Sequence, residues 1–194
     1  MSYPCPEHGP LLEKYGQMIT TWNDVEYQWS SALLYFEKPD TSELSITAQI
    51  LAAQLSSYQL SGFAQAVAHE LVTGECQTVM LEAIKHLDIL RDYRNYYVHG
   101  FQALGWSNGI PAGMLLTRTV RGRLVDHNIW IQEAELDSLI AQLQDLRLVM
   151  GKVLGVWRHQ HGALHSDDCS LPELGARPVK LDLPKRLVFG RRDD

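Results

Sequence analysis

Chemistry-bearing residues concentrate in one ten-residue stretch, RDYRNYYVHG, running from Arg91 to Gly100. On a helix, Asp88, Arg91, Asn95 and His99 recur at i, i+3, i+7 and i+11, which is one face. Arg94 stands about 100° from Asn95 on such a helix, near enough for its long side chain to reach round to that stripe. A guanidinium, an amide and an imidazole therefore converge on the last turns. At a helix C-terminus the macrodipole favours a protonated imidazole, so His99 suits general acid or base work near neutral pH. An arginine beside it binds a phosphate and stabilises the charge that builds up during displacement at phosphorus. Asn95 orients the histidine or a substrate hydroxyl. Arginine plus histidine, with no carboxylate cluster to hold a metal, suits metal-free cleavage of a phosphodiester. The plain alternative is a polar C-terminal cap network in which His99 pairs with the last carbonyls.

The elements around this stretch read as helices. Leu11, Tyr15, Met18, Trp22, Val25, Trp29, Leu33 and Phe36 recur at three- and four-residue steps, predicting a first helix closed before Pro39. Ser45 to Leu71, rich in Ala, Leu and Gln, predicts a second, with Gly62 as a place to break it in two. The third is predicted over Gln77–Val98, with core face Met80, Ala83, Ile84, Leu87 and Leu90, and Gly100 stands where a left-handed cap ends a helix. Gly105 to Gly113, containing Asn108-Gly109 and Pro111, reads as a loop. MLLTRTV and RLVDHNIWI flank Arg121-Gly122 and predict a β-hairpin near residues 113–131. Gln132-Glu133 opens a last helix through Leu136, Leu143, Val153 and Trp157. The expected fold class is mainly α: an antiparallel helical bundle at 11–162 with a β-hairpin inserted before the last long helix. Residues 1–10, with Pro4, Pro6 and Pro10, form an irregular N-terminus, and 163–194 a proline-containing tail, ordered only if it lies along the body.

The totals limit the function classes. The 194 residues fit one domain and a tail, with 45% apolar and 21% charged residues. A net charge of −6 argues against a protein that coats nucleic acid by bulk charge, but leaves room for a local basic site. Three cysteines (Cys5, Cys76 and Cys169), odd in number and far apart, form no disulfide framework and read as reduced thiols. No signal peptide and no membrane-spanning stretch is apparent, so a soluble cytoplasmic protein is expected. His159, His161, His165 and Cys169 are zinc-type donors at no standard spacing, and Glu82 with His86 at i, i+4 reads as a surface pair; no metal site and no cofactor is expected.

The segment Arg94-Asn95-Tyr96-Tyr97-Val98-His99-Gly100 resembles the signature of the HEPN superfamily. That signature is an arginine, a polar residue after it, and a histidine four to six residues beyond the arginine, near the end of a long helix in an α-helical bundle. The order of elements is similar too, across Leu11 to Trp157, while the hairpin from Met114 to Ile131 lies outside the superfamily's common core. By resemblance, many members are metal-independent endoribonucleases that use the RNA 2′-hydroxyl as nucleophile, with the active site formed where two motif helices meet in a homodimer. The resemblance implies catalytic roles for Arg94 and His99, with Asn95 in support. It also implies a toxin–antitoxin or phage-defence setting, with an antitoxin or nucleotidyltransferase partner. Arg91, Arg118, Arg121 and Arg123 are the arginines expected to grip RNA. The alternative from the same resemblance is a non-catalytic RNA- or protein-binding module.

Overall fold

The computed structural model describes residues 6–36, 46, 49–50, 54–116, 128–163, 170–175 and 177–178. A 3-10 turn at Pro6–His8 leads into α1 (Gly9–Leu33). There follow α2 (Ser57–Glu70), α3 (Gly74–Gly100), β1 (Phe101–Ser107), β2 (Ile110–Leu116), β3 (Asn128–Ile131) and α4 (Glu133–Gln160). The fold is mainly α, with a small antiparallel sheet of order β1-β2-β3 inserted before the last helix.

α1 begins two residues before the expected Leu11, because Pro10 falls in the first turn, where a missing N–H costs nothing. α1 and α4 pack extensively along their lengths, and α3 lies against both α2 and α4. The predicted apolar stripes face this core: Leu11, Met18, Trp22, Val25, Trp29 and Leu33 from α1 meet Leu136, Leu143, Leu146, Met150 and Val153 from α4. Two core indoles also tie elements together by hydrogen bonds. Trp29 Nε1 donates to the Leu146 carbonyl at 3.0 Å, and Trp157 Nε1 to that of Leu71 at 3.2 Å.

Gly62 does not break the second helix. It lies inside α2, and the interruption falls at Leu55–Ser56 instead. Ser56 is the N-cap, its backbone N–H donating to Gln59 Oε1 at 2.9 Å while its hydroxyl accepts from the Gln59 N–H. A reciprocal cap starts a new helix at Ser57, whereas one glycine inside it is tolerated.

The predicted hairpin arms do pair: Gly113 opposes Ile131, Met114 opposes Trp130, and Leu116 opposes Asn128. Its turn, Arg121-Gly122, lies outside the described residues. The expected loop at Gly105–Gly113 is a correction, for it is a second hairpin. Asn108 and Gly109 have φ of 53° and 77°, the two positive values of a tight hairpin turn, and β1 pairs with β2 from Ser107↔Ile110 back to Phe101↔Leu115. The small residues that suggest a loop have another task. A Cβ on Gly105 would lie 2.7 Å from the Trp130 ring, and one on Gly113 would lie 2.6 Å from the Phe101 ring.

Gly100 is a further correction. It is the last residue of α3 and is not among the residues of positive φ; Phe101 (φ −63°, ψ 121°) already belongs to β1. The helix runs into the strand without a loop. Of the tail, residues 170–175 and 177–178 lie on the body, with Leu171 and Leu174 packed against the core and Pro178 buried.

Candidate functional site

The C-terminal turns of α3 are fixed by neighbours from far along the chain. The Tyr97 carbonyl is the last acceptor of the helix ladder. It accepts the Phe101 N–H and also the hydroxyl of Tyr15 from α1. The Tyr15 ring lies 4.9 Å from that of Phe101, so one tyrosine touches both sides of the helix–strand junction. Burial pushes the Tyr15 phenol up to about 12, against the opposing pull of the Arg94 charge, so it is a neutral donor at ordinary pH.

Arg94 Nη1 donates to Asn95 Oδ1 at 3.1 Å, the reach-round that its helical position permits. Its side chain is half-buried, and its Nε is buried without a hydrogen-bond partner. Such a donor retains an unmet demand for an acceptor, which an anionic oxygen would satisfy well.

Arg91 is committed within the chain. Its Nη1 stands 2.8 Å from Asp88 Oδ1, an ion pair whose angles fall short of a hydrogen bond. Its guanidinium also lies 5.5 Å above the ring of Tyr58 in α2. His99 is exposed and, among the described residues, makes no hydrogen bond or ion pair. Arg94 and His99 are five residues apart, roughly 140° round an α-helix, and no hydrogen bond or ion pair joins them. The structure thus brings Arg94 to Asn95 and Arg91 to Asp88, and leaves His99 to itself.

Arg118, Arg121 and Arg123 lie outside the described residues. The strand register still fixes where their segment leaves and rejoins the body. Leu115 opposes Phe101, and Leu116 opposes Asn128, so both ends of that segment are at the end of the sheet where α3 stops. Sequence spacing alone shows nothing of this, because it depends on the β1–β2 hairpin. Tyr15 is the other residue the sequence does not point to. It fits the apolar repeat of α1, and its partner Tyr97 is 82 residues away.

Two lesser candidates change character. His86 is buried, not a surface residue; its Nε2 is 3.7 Å from Glu82 Oε1, and burial holds the imidazole below its usual range. His161 stacks on Trp157 at 4.4 Å and bonds to its carbonyl through Nδ1. Among the described residues no three His, Cys, Asp or Glu side chains gather in a group able to hold a metal ion. Nor is any helix there long and apolar enough to cross a membrane. Compared with known proteins, the chain matches no family profile, no curated sequence and no solved structure.

Proposed function

We propose that this chain is a HEPN-type, metal-independent endoribonuclease that works as a homodimer in the cytoplasm, in a toxin–antitoxin or phage-defence setting. The observation that carries the reading is Arg94: Asn95 holds its guanidinium, and its buried Nε has no acceptor among the described residues, about 1.4 turns before an exposed histidine. In this reading Arg94 binds a non-bridging oxygen of the scissile phosphate. His99 takes the proton from the 2′-hydroxyl as that oxygen attacks phosphorus, and the His99 of the second copy protonates the departing 5′-oxygen. The product carries a 2′,3′-cyclic phosphate. The divergence of Arg94 and His99 round one helix is the reason to invoke a second copy, which supplies the group that a single helix turns away. Arg118, Arg121 and Arg123 grip the RNA backbone, while Arg91 contributes less because Asp88 already engages it. An antitoxin or nucleotidyltransferase partner would cover this end of the bundle.

That His99 makes no hydrogen bond or ion pair among the described residues favours a second reading, in which the same surface binds RNA or a protein without cutting, because a catalytic imidazole is normally oriented by a neighbour. One experiment separates the two. The purified full chain is incubated with end-labelled single-stranded RNA in EDTA, beside His99→Ala and Arg94→Ala. Cleavage leaving 2′,3′-cyclic ends, reduced roughly 10²–10⁴-fold by His99→Ala, is expected. Binding that survives His99→Ala, with no cleavage by wild type, would establish the second reading instead.

A further inference from the structure

Of the stretch Ser170-Leu-Pro-Glu-Leu-Gly-Ala-Arg-Pro178, all but position 176 is described. Its described residues form no helix and no strand. It is nonetheless seated on the body. Leu171 and Leu174 pack against the core, Pro178 is buried, and Arg177 meets Glu82 of α3 with two parallel hydrogen bonds, Nε to Oε1 at 2.6 Å and Nη2 to Oε2 at 2.7 Å. This fork joins residues 95 positions apart. A paired guanidinium and carboxylate fix orientation as well as attraction. Lys85 reaches the same carboxylate at 3.1 Å, so Glu82 is the polar anchor of the seat.

The seat is larger than what fills it. Pro172, Leu174 and Pro178 roof a cavity of about 550 Å³ whose opposite wall is Leu146 and Val149 of α4, with the buried His86 of α3 beside them. A second cleft of about 400 Å³ continues past Arg177 and Pro178, along Tyr93 and Tyr97. Apolar anchors at Leu171, Leu174 and Pro178, a charged fork at one end and volume beneath left unfilled by the described residues are the features of a groove that takes an extended peptide.

We propose that the groove between α3 and α4 is a peptide-binding groove, that residues 170–175 and 177–178 occupy it as a strap in cis, and that a peptide of the pattern Leu-Pro-x-Leu-x-x-Arg-Pro displaces the strap in trans. The partner that fits is an extended segment with two leucines three residues apart, followed by an arginine for Glu82. The strap, being tethered, competes at an effective concentration on the order of mM, so the wild-type groove is mostly closed to outside peptides. Weakening the fork opens it. The proposal stands whether or not the chain cuts RNA.

The test uses the full chain and a fluorescein-labelled peptide SLPELGARP. Arg177→Glu places the strap's carboxylate against Glu82 and leaves the groove's own residues intact. Anisotropy should show the labelled peptide binding this variant at least tenfold more tightly than wild type. Adding Glu82→Arg to Arg177→Glu restores a fork of reversed sense and should return peptide binding to the wild-type level or below. Equal, weak binding to wild type and Arg177→Glu would overturn the proposal. A measurement on wild type alone guards against a variant that fails to fold. The Arg177 Nε–H signal in a nitrogen-15 spectrum should exchange slowly with solvent and move as unlabelled peptide is added in excess. A signal that exchanges like that of free arginine and ignores the peptide would equally sink the idea.

Discussion

Tyr15 shows how one side chain governs the candidate site without belonging to the motif. Its hydroxyl satisfies a carbonyl at the end of α3, and its ring backs Phe101. Tyr15→Phe keeps the ring and removes the hydrogen bond, so unfolding by urea should show a loss of about 0.5–1.5 kcal/mol. The pH dependence has a definite sign. The folded phenol titrates near 12, above its ordinary 10, so the native state holds more protons than the unfolded state between those values. Stability contributed by Tyr15 is fully present below about 10 and declines as pH rises toward 12. Tyr97, also raised by burial, adds to the same decline. Tyr15→Phe should therefore flatten part of the alkaline limb of a melting-temperature profile; a profile identical to wild type would deny Tyr15 this role.

Among the elements, the helices were the most legible, since a core face of Met80, Ala83, Ile84, Leu87 and Leu90 leaves little choice of period. The element boundaries that differ share one cause: in the sequence, glycine reads as punctuation. Gly62 sits mid-helix with nothing within 4 Å of its would-be Cβ, so the helix simply tolerates it. Gly105 and Gly113 are sheet positions where a ring lies on the backbone, a reason visible only once Trp130 and Phe101 are in place. Asn108-Gly109 is the readable signal, a dipeptide that favours a two-residue hairpin turn and that, beside Pro111, reads equally as part of a loop. Gly105→Ala puts a methyl against the rigid Trp130 ring. It should destabilise by about 1–3 kcal/mol in urea unfolding and expose the indole further to acrylamide quenching. An unchanged midpoint would mean that the ring is free to lift away.

For the whole molecule, the candidate site was only partly legible. Counting along the helix put Arg91, Asn95 and His99 on one face and gave Arg94 the reach to join them. It did not reveal that Asp88 and Tyr58 occupy Arg91, nor that the segment holding Arg118, Arg121 and Arg123 springs from the same end of the sheet. Those facts depend on contacts between distant parts of the chain. The tail was equally opaque, for nothing in its composition indicates that Arg177 finds Glu82. That fork has its own pH signature. Arg177 first, then Lys85, holds the Glu82 carboxyl down to about 2 from an ordinary 4.5. A depressed carboxylate contributes stability that is present above 4.5 and lost as pH falls through about 2. The Arg177 Nε–H signal should thus weaken over that acid range in wild type, and already be weak at neutral pH in Glu82→Gln. A signal indifferent to both would show that the fork does not hold the strap.

The junction at Gly100–Phe101 leaves no slack, and that constrains how such a chain changes over generations. Extra or missing residues are ordinarily absorbed by a loop, whose length drifts without disturbing what it connects. Here a single inserted residue near the end of α3 would turn everything after it by about 100° about the helix axis. Leu115 and Ile131, now buried beneath the sheet, would be swung away from the core together with the strands that carry them. The third helix and the sheet are therefore mechanically one piece: an inserted or deleted residue at the seam should disrupt the fold more than a substitution at an exposed position there.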